Sequence, residues 1–429
     1  MLRLMCTAGF GLLLAGSVGI NALQDRPALK DVFKDAFVMG TAVNQGIVTG
    51  KDAASRDLVL RHFGSITADN AMKAGPVNPK PGVWNFGPAD AFVDFGEKHG
   101  MFIVGHTLVW HNQTPAWFFQ NEKGEPNSPE AQIERMRAHI EAVAGRYKGR
   151  VHAWDVVNEV IDNDGSYRPT TWVKAVGSGD ELVRAAFRFA SQYAPGAELY
   201  YNDFNTWRPA KRDGIVRMVK MLKAEGIRID GIGMQGHWGL NYPKTEYIEA
   251  AIDAFAALGV KVMITELDVD VLPLTREGQI IGTVMSDPQF QLEEFEAYLD
   301  PYRDGLPEHV EQQVAARWAD LFRIFYERRD KIDRVTFWGA HDGLSWKNNY
   351  PVPGRMNYAL LFGRDRQPKR AFDAVVAVAV TGKDGSMPAE VIRRGRATAG
   401  VPGGRRAEYF NVPQAGTPAA SVPLTPVPR

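Results

Sequence analysis

The sequence has almost no cysteine, no excess of either charge, and no long apolar run beyond its N-terminal segment. Cys6 is the only cysteine among 429 residues. It lies inside that N-terminal segment, so a chain processed after it would hold no disulfide, no thiolate metal site and no cysteine nucleophile. A chain this long can bury a sufficient core without disulfides. Lys and Arg together number 50, as do Asp and Glu. That balance argues against a nucleic-acid partner, whose recognition usually rests on clustered basic residues. Past the N-terminus no apolar run of about twenty residues occurs, so the mature chain is not expected to span or bind a membrane. Also missing are a Gly-x-Ser-x-Gly elbow, a phosphate-binding glycine loop and a His-x-x-x-His helix. No metal and no organic cofactor is expected.

What is present is the composition of an ordinary globular protein, with 45% hydrophobic and 23% charged residues. Residues 1–22 carry Arg3, then an apolar run from Leu4 to about Ile20 that ends among small residues. This is the layout of a secretory signal peptide, and it predicts an exported protein, periplasmic or extracellular. Residues 382–429 are rich in Gly, Pro and Ala and carry Arg393, Arg394, Arg396, Arg405 and Arg406. They read as a disordered, solvated tail.

Between them, residues 25–381 alternate short apolar runs with amphipathic stretches. Eight runs read as strands: AFVMGTAV, SITAD, FIVGHTLV, HAWDVVNE, ELYYND, DGIGMQGH, KVMITELD and RVTFWGA. The helical stretches include residues 128–147, where Ile133, Met136, Ile140 and Val143 share a face and Ser128 can cap. A second helix is expected to be capped by Thr245 and to stop at Gly259. Eight strand–helix units predict a (β/α)₈ TIM barrel forming a single catalytic domain; an open doubly wound sheet is the alternative. Asn44, Asn70, His106, Glu159, Asn202, His237, Glu266 and Trp338 then fall at the C-terminal ends of the strands, the rim that carries barrel active sites. The excursion over 271–307 is expected to wall a cleft.

Two glutamates finish apolar runs, Glu159 in HAWDVVNE and Glu266 in KVMITELD. A carboxylate there is costly unless it is used or paired. Two opposed carboxylates are what glycosidic cleavage needs, one protonating the leaving oxygen and one attacking or activating water. The competing reading is a pair of structural acids in ion pairs. Asp268 shares a strand face with Glu266, and His237, expected to close the preceding strand, can place its ring between them and hold Glu266 ionised. Apolar Val156, Val157 and Val160 favour the protonated acid at Glu159. Trp110, Trp338 and Trp346 offer flat faces for sugar rings, and Asn70, Lys73, His106, Gln113, Asn158 and Gln235 offer hydrogen bonds.

Nine segments in order resemble glycoside hydrolase family 10, mostly secreted endo-β-1,4-xylanases. They are GTAVN at 40–44, ITADNAMK at 66–73, GHTLVWHNQTPAWF at 105–118, WDVVNE at 154–159, YNDFN at 201–205, GIGMQGH at 231–237, ITELDV at 264–269, TFWGAHDGLSW at 336–346 and LLFGRDRQPKRAF at 360–372. The resemblance implies a retaining double displacement on xylan and xylo-oligosaccharides by a monomer without a cofactor. It implies Glu159 as acid/base, Glu266 as nucleophile, and His237 with Asp268 as the pair that orients the nucleophile. By the same resemblance Asn70, Lys73, His106, Trp110, Gln113, Asn158, Gln235, Trp338 and Trp346 bind sugar on the non-reducing side of the cut, and Asn202 faces the leaving-group side. Three positions depart from the pattern. Asp69 replaces a glutamate, Ala74 and Gly75 follow Lys73 where a tryptophan is usual, and Phe204 replaces a tyrosine. They put the distal sugar contacts in question and leave the reaction type untouched. The other readings are the same chemistry on cellobiosides or aryl xylosides, a sugar-binding protein without catalysis, and a metal-dependent barrel hydrolase.

Overall fold

The computed structural model describes residues 26–272, 300–350 and 354–383. The expected leader, most of the basic tail and residues 273–299 of the excursion lie outside the described residues. The described residues fall within one compact unit.

The apolar runs become strands because they are buried on both faces, which removes the polar alternation of a half-exposed strand. All six residues of AWDVVN are buried, as are all but the first of KVMITELDVD. In chain order the strands are β1 (Val38–Val43), β2 (Ser65–Ala68), β3 (Phe102–Val109), β4 (Ala153–Asn158), β5 (Glu198–Asp203), β6 (Gly231–Met234), β7 (His237–Gly239), β8 (Lys261–Asp270) and β9 (Ile332–Phe337). Every pairing between these strands is parallel. Six strands run side by side from β1 to β6, β6 then pairs with β8, β8 with β9, and β9 with β1. The sheet is therefore a closed eight-stranded barrel, and the open alternative is excluded.

Among the described residues eight longer helices cover it: α1 (Ala53–His62), α2 (Gly87–Lys98), α3 (Pro129–Arg146), α4 (Gly179–Tyr193), α5 (Pro209–Ala224), α6 (Thr245–Ala256), α7 (Glu308–Glu327) and α8 (Arg370–Lys383). Each turns an apolar stripe to the barrel, as Leu182, Val183, Ala186, Phe187 and Ala190 do on α4. None of the described helices is long and apolar enough to cross a membrane. Ser128 caps α3 by accepting from the Ala131 N–H at 3.3 Å. Thr245, in contrast, is the first residue of α6 and not its cap. Lys244 holds the extended cap conformation and supplies no side-chain acceptor. The helix ends at Ala256, three residues before Gly259. Helix α8 runs to Lys383, so the boundary expected at 381 falls inside it.

One further difference bears on the site. The run GIGMQGH is not one strand. It breaks at Gly236, whose φ is +83°, a conformation that side chains disfavour. His237 therefore opens the short strand β7, which pairs only with the outer end of β8. His106 and Glu266 sit within β3 and β8 rather than at their ends. Beside each the pairing register shifts, between His106 and Val109 and between Ile264 and Leu267. Such irregularities re-aim side chains at barrel rims.

Candidate active site

Glu159 is the first residue after β4. Its φ is +61°, uncommon for a residue with a side chain. Its N–H donates to the Asn202 carbonyl at 2.9 Å, which ties the turn to β5. The buried carboxyl is held from two sides: Trp110 Nε1 donates to Oε2 at 2.9 Å, and Gln235 Nε2 donates to Oε1 at 2.9 Å. The Gln235 N–H bonds the Asp203 carbonyl, and the Glu266 N–H bonds the Gln235 carbonyl at 2.7 Å. Backbone bonds thus run round the rim between the two glutamates.

Glu266 has a different set of donors. Asn202 Nδ2 donates to Oε1 at 2.7 Å, and His237 Nε2 lies 3.1 Å from Oε2. The other ring nitrogen of His237 lies 2.9 Å from Asp268 Oδ2. The parallel pairing of β7 with β8 sets His237 opposite Asp268. Trp346 Nε1 donates to the same Asp268 oxygen at 2.8 Å. Burial disfavours charge on His237, but the Asp268 and Glu266 carboxylates outweigh it and raise its pKa to about 9. At neutral pH the ring is an imidazolium that donates to both carboxylates. Burial likewise pushes Glu266 up, yet the His237 bond, the His106 and His237 charges and the Asn202 bond leave it below the usual carboxylate range. Glu266 is an ionised group with no proton to give. Asn202 is the hub of this wall: it also accepts from Thr265 Oγ1 at 2.5 Å and lies against the Asn158 amide.

The remaining predicted residues extend this network across the mouth. Asn70 Oδ1 accepts from Lys73 Nζ at 3.0 Å and from Gln113 Nε2 at 3.1 Å. The Lys73 ammonium stands 4.9 Å from the Trp110 ring centre. His106 Nδ1 pairs with Asp155 Oδ2 at 2.8 Å, and its ring meets Trp338 edge-on at 5.2 Å. Trp346 stacks on Tyr350 with ring centres 5.0 Å apart. All fourteen residues singled out in the sequence are thereby linked in one mouth, Glu159, Glu266, His237, Asp268, Asn70, Lys73, His106, Trp110, Gln113, Asn158, Asn202, Gln235, Trp338 and Trp346. Trp110 has a further tie beside the expected stacking face, since its N–H is engaged by Glu159 and the Lys73 ammonium lies near its ring. Among the described residues no group of three His, Cys, Asp or Glu side chains is placed to hold a metal ion.

The three unusual positions lie beside the same network. Asp69 is pushed up by burial, against the Lys73 and His106 charges, with Glu266 adding to the rise. Ala74 is buried, and the Gly75 N–H bonds the Gln113 carbonyl at 2.7 Å. Phe204 lies against two cations, the Lys211 ammonium at 4.1 Å and the Arg168 guanidinium at 4.7 Å from its ring centre.

Sequence reasoning missed five supporting residues: Asp155 and Thr265, and, behind Glu159, Tyr201, Asp203 and Lys211. Asp155 meets His106 because the β3–β4 register sets them opposite one another. A single sequence does not fix that register. Tyr201 follows Tyr200 in the same strand, and nothing in the run ELYYND sets it apart from a core aromatic.

Comparison with known proteins comes down to one family. The family model for Glycosyl hydrolase family 10 matches residues 28–378. Endo-1,4-beta-xylanase A of Xylanibacter ruminicola is 40% identical over 353 residues, covering 82% of this chain and 94% of that protein. An endo-1,4-beta-xylanase of Geobacillus stearothermophilus is 40% identical over 355 residues, covering 82% and 98%. Among solved structures, a GH10 endoxylanase retrieved from a sugarcane soil metagenome is 43% identical with a TM-score of 0.76, covering 82% of this chain and 100% of that one. Xylanase XynB from Paenibacillus barcinonensis, solved with a conduramine derivative, is 36% identical with a TM-score of 0.71, covering 82% and 98%.

Proposed function

The chain belongs to glycosyl hydrolase family 10, and from that premise we propose that it is an endo-β-1,4-xylanase that cleaves internal bonds of xylan with retention. One observation carries the reading: two buried carboxyls share one mouth under different donors. Glu266 is held ionised by an imidazolium and an amide, while Glu159 is steadied by an indole and an amide.

Glu266 attacks the anomeric carbon as Glu159 delivers its proton to the leaving glycosidic oxygen. The bond to the leaving sugar breaks and a glycosyl ester forms on Glu266. Esterification removes the negative charge next to Glu159, which is left as a carboxylate. Glu159 then takes a proton from water, the resulting hydroxide attacks the anomeric carbon, and the ester bond breaks. Two inversions give net retention. His237 and Asp268 keep Glu266 aimed throughout. Asn70, Lys73, His106, Trp110, Gln113, Asn158, Gln235, Trp338 and Trp346 hold sugar on the glycone side, and Asn202, which donates to Glu266, faces the leaving-group side.

The test is sugar release from xylan with product lengths and anomeric configuration resolved, Glu266→Gln run alongside. Short and intermediate oligomers, first formed as the β-anomer and absent with the variant, are expected. An α-anomer would overturn retention. Faster turnover of a soluble cellulose than of xylan would overturn the substrate.

A further inference from the structure

Behind Glu159, between the barrel wall and α5, lies a buried polar group that the proposed mechanism does not use. Along β5 side chains alternate. Asn202 faces the site, and Tyr201 and Asp203 face away from it towards α5. Tyr201, Asp203 and Lys211 are all fully buried. Lys211, in the first turn of α5, donates its ammonium to Asp203 Oδ1 at 2.6 Å. The Phe204 N–H donates to the same oxygen at 2.8 Å. The other oxygen accepts from the Tyr201 hydroxyl. With its proton committed to Asp203, the Tyr201 oxygen is left as an acceptor. It receives the N–H groups of Val160 at 3.2 Å and Ile161 at 3.0 Å. These are the two residues immediately after Glu159.

We propose that Lys211, Asp203 and Tyr201 form a positioning network that fixes the turn bearing Glu159, and through it the aim of the proton donor. The proposal rests on the role assigned to Glu159 above.

Three features support it. Glu159 has a positive φ that its own chemistry does not favour, and such a conformation persists only where its surroundings over-determine it. The loop that continues from the turn is also fastened to α5. A Cβ on Gly214 would stand 2.4 Å from the Gly165 carbonyl oxygen, so the two backbones touch. Arg217 donates to that same carbonyl at 2.9 Å. Finally, an isolated buried ion pair is a poor source of stability, since desolvation of both charges offsets their attraction. Burial, with the Glu159 charge adding to it, pushes Asp203 up to about 6 even with Lys211 bound. Burial also lowers Lys211, against the Asp203 and Glu159 charges. The pair is retained at a cost and reads out on the two amides beside Glu159.

A displaced proton donor matters only where the leaving group needs a proton. The experiment compares kcat/KM on xylohexaose, whose leaving sugar needs protonation, with kcat/KM on a dinitrophenyl β-xylobioside, whose leaving group does not. The expected result for Tyr201→Phe and Lys211→Met is a loss of about tenfold to hundredfold on xylohexaose, a part of the roughly hundredfold to ten-thousandfold that a well-placed general acid supplies, with less than about threefold on the aryl substrate. Asp203→Asn, of the same shape, is measured in parallel and should discriminate in the same sense if either of the others fails to fold. An equal fall on both substrates, or no fall on either, in the variants that fold would overturn the network. A wild type that leaves xylohexaose intact would overturn the functional reading instead, so the two failures are distinguishable.

Discussion

Trp110 and Glu159 are joined by an indole N–H donated to a carboxyl oxygen at 2.9 Å, while the Lys73 ammonium stands 4.9 Å from the centre of the same indole. The tryptophan therefore acts on the acid from one edge and takes part in the charge pattern of the mouth through its ring. A bond of this kind to a charged or partly charged group contributes about 1.5–3 kcal/mol.

Trp110→Phe separates these roles, because it keeps a flat ring and deletes the N–H. The expected outcome is a fall of about tenfold to hundredfold in kcat on xylan, with little change in KM. Steady-state kinetics on xylan or a defined xylo-oligosaccharide checks this. A rise in KM with kcat intact would show that the indole serves sugar binding and not the carboxyl.

His237 makes a prediction about pH. Its pKa in the folded chain is raised to about 9 from an ordinary 6.5, by Asp268 and Glu266 against burial. The sign follows from linkage: the bound proton stabilises the fold fully below pH 6.5, and that contribution is lost as pH rises to about 9. At 1.36 kcal/mol per pH unit the contribution is at most roughly 3 kcal/mol. Thermal unfolding midpoints of the wild type should fall between pH 6.5 and 9, and His237→Gln, which has no titrating ring, should flatten that decline. Parallel curves for the two proteins would remove His237 as the cause.

Glu159 and Glu266 were legible because each is a charge placed in an apolar run, and the barrel was legible because strands buried on both faces leave eight apolar blocks. What could not be read depends on register and on breaks inside a run. His106 and Asp155 meet only because β3 and β4 pair in one particular register. GIGMQGH reads as one strand, yet the chain turns at Gly236 and begins another at His237. Lys211 shows the same limit in a helix. A lysine in the first turn of an amphipathic helix reads as solvated, and only the packing of α5 over β5 places it on Asp203.

The contact between Gly165 and Gly214 gives a test of stability. A methyl at Gly214 would lie 2.4 Å from the Gly165 carbonyl oxygen and 2.8 Å from its Cα. Both are backbone atoms and cannot rotate aside. Gly214→Ala should therefore destabilise by about 1–3 kcal/mol, as overpacked sites generally do. Denaturant unfolding measures it, with a lower midpoint at an unchanged slope as the expected form. An unaltered midpoint would mean that the loop after β4 moves off α5 at no cost.

Asp69 carries the last prediction. It stands among Lys73, His106 and Glu266, and its carboxyl is one methylene shorter than the glutamate of the family pattern. Burial holds its pKa above the usual value, so its charge is costly where it stands. If this carboxylate serves a sugar one place removed from the cut, as the family resemblance implies, the shorter arm would reach it less well. The gain in kcat/KM on lengthening the oligosaccharide past the sugars next to the cleaved bond should then be small in the wild type. Asp69→Glu should restore it by about tenfold, the worth of one weak charge-assisted hydrogen bond. Rates on xylotriose, xylotetraose and xylopentaose measure the effect. A steep chain-length dependence already present in the wild type, unchanged by Asp69→Glu, would show that the sugar finds its partner elsewhere on the rim.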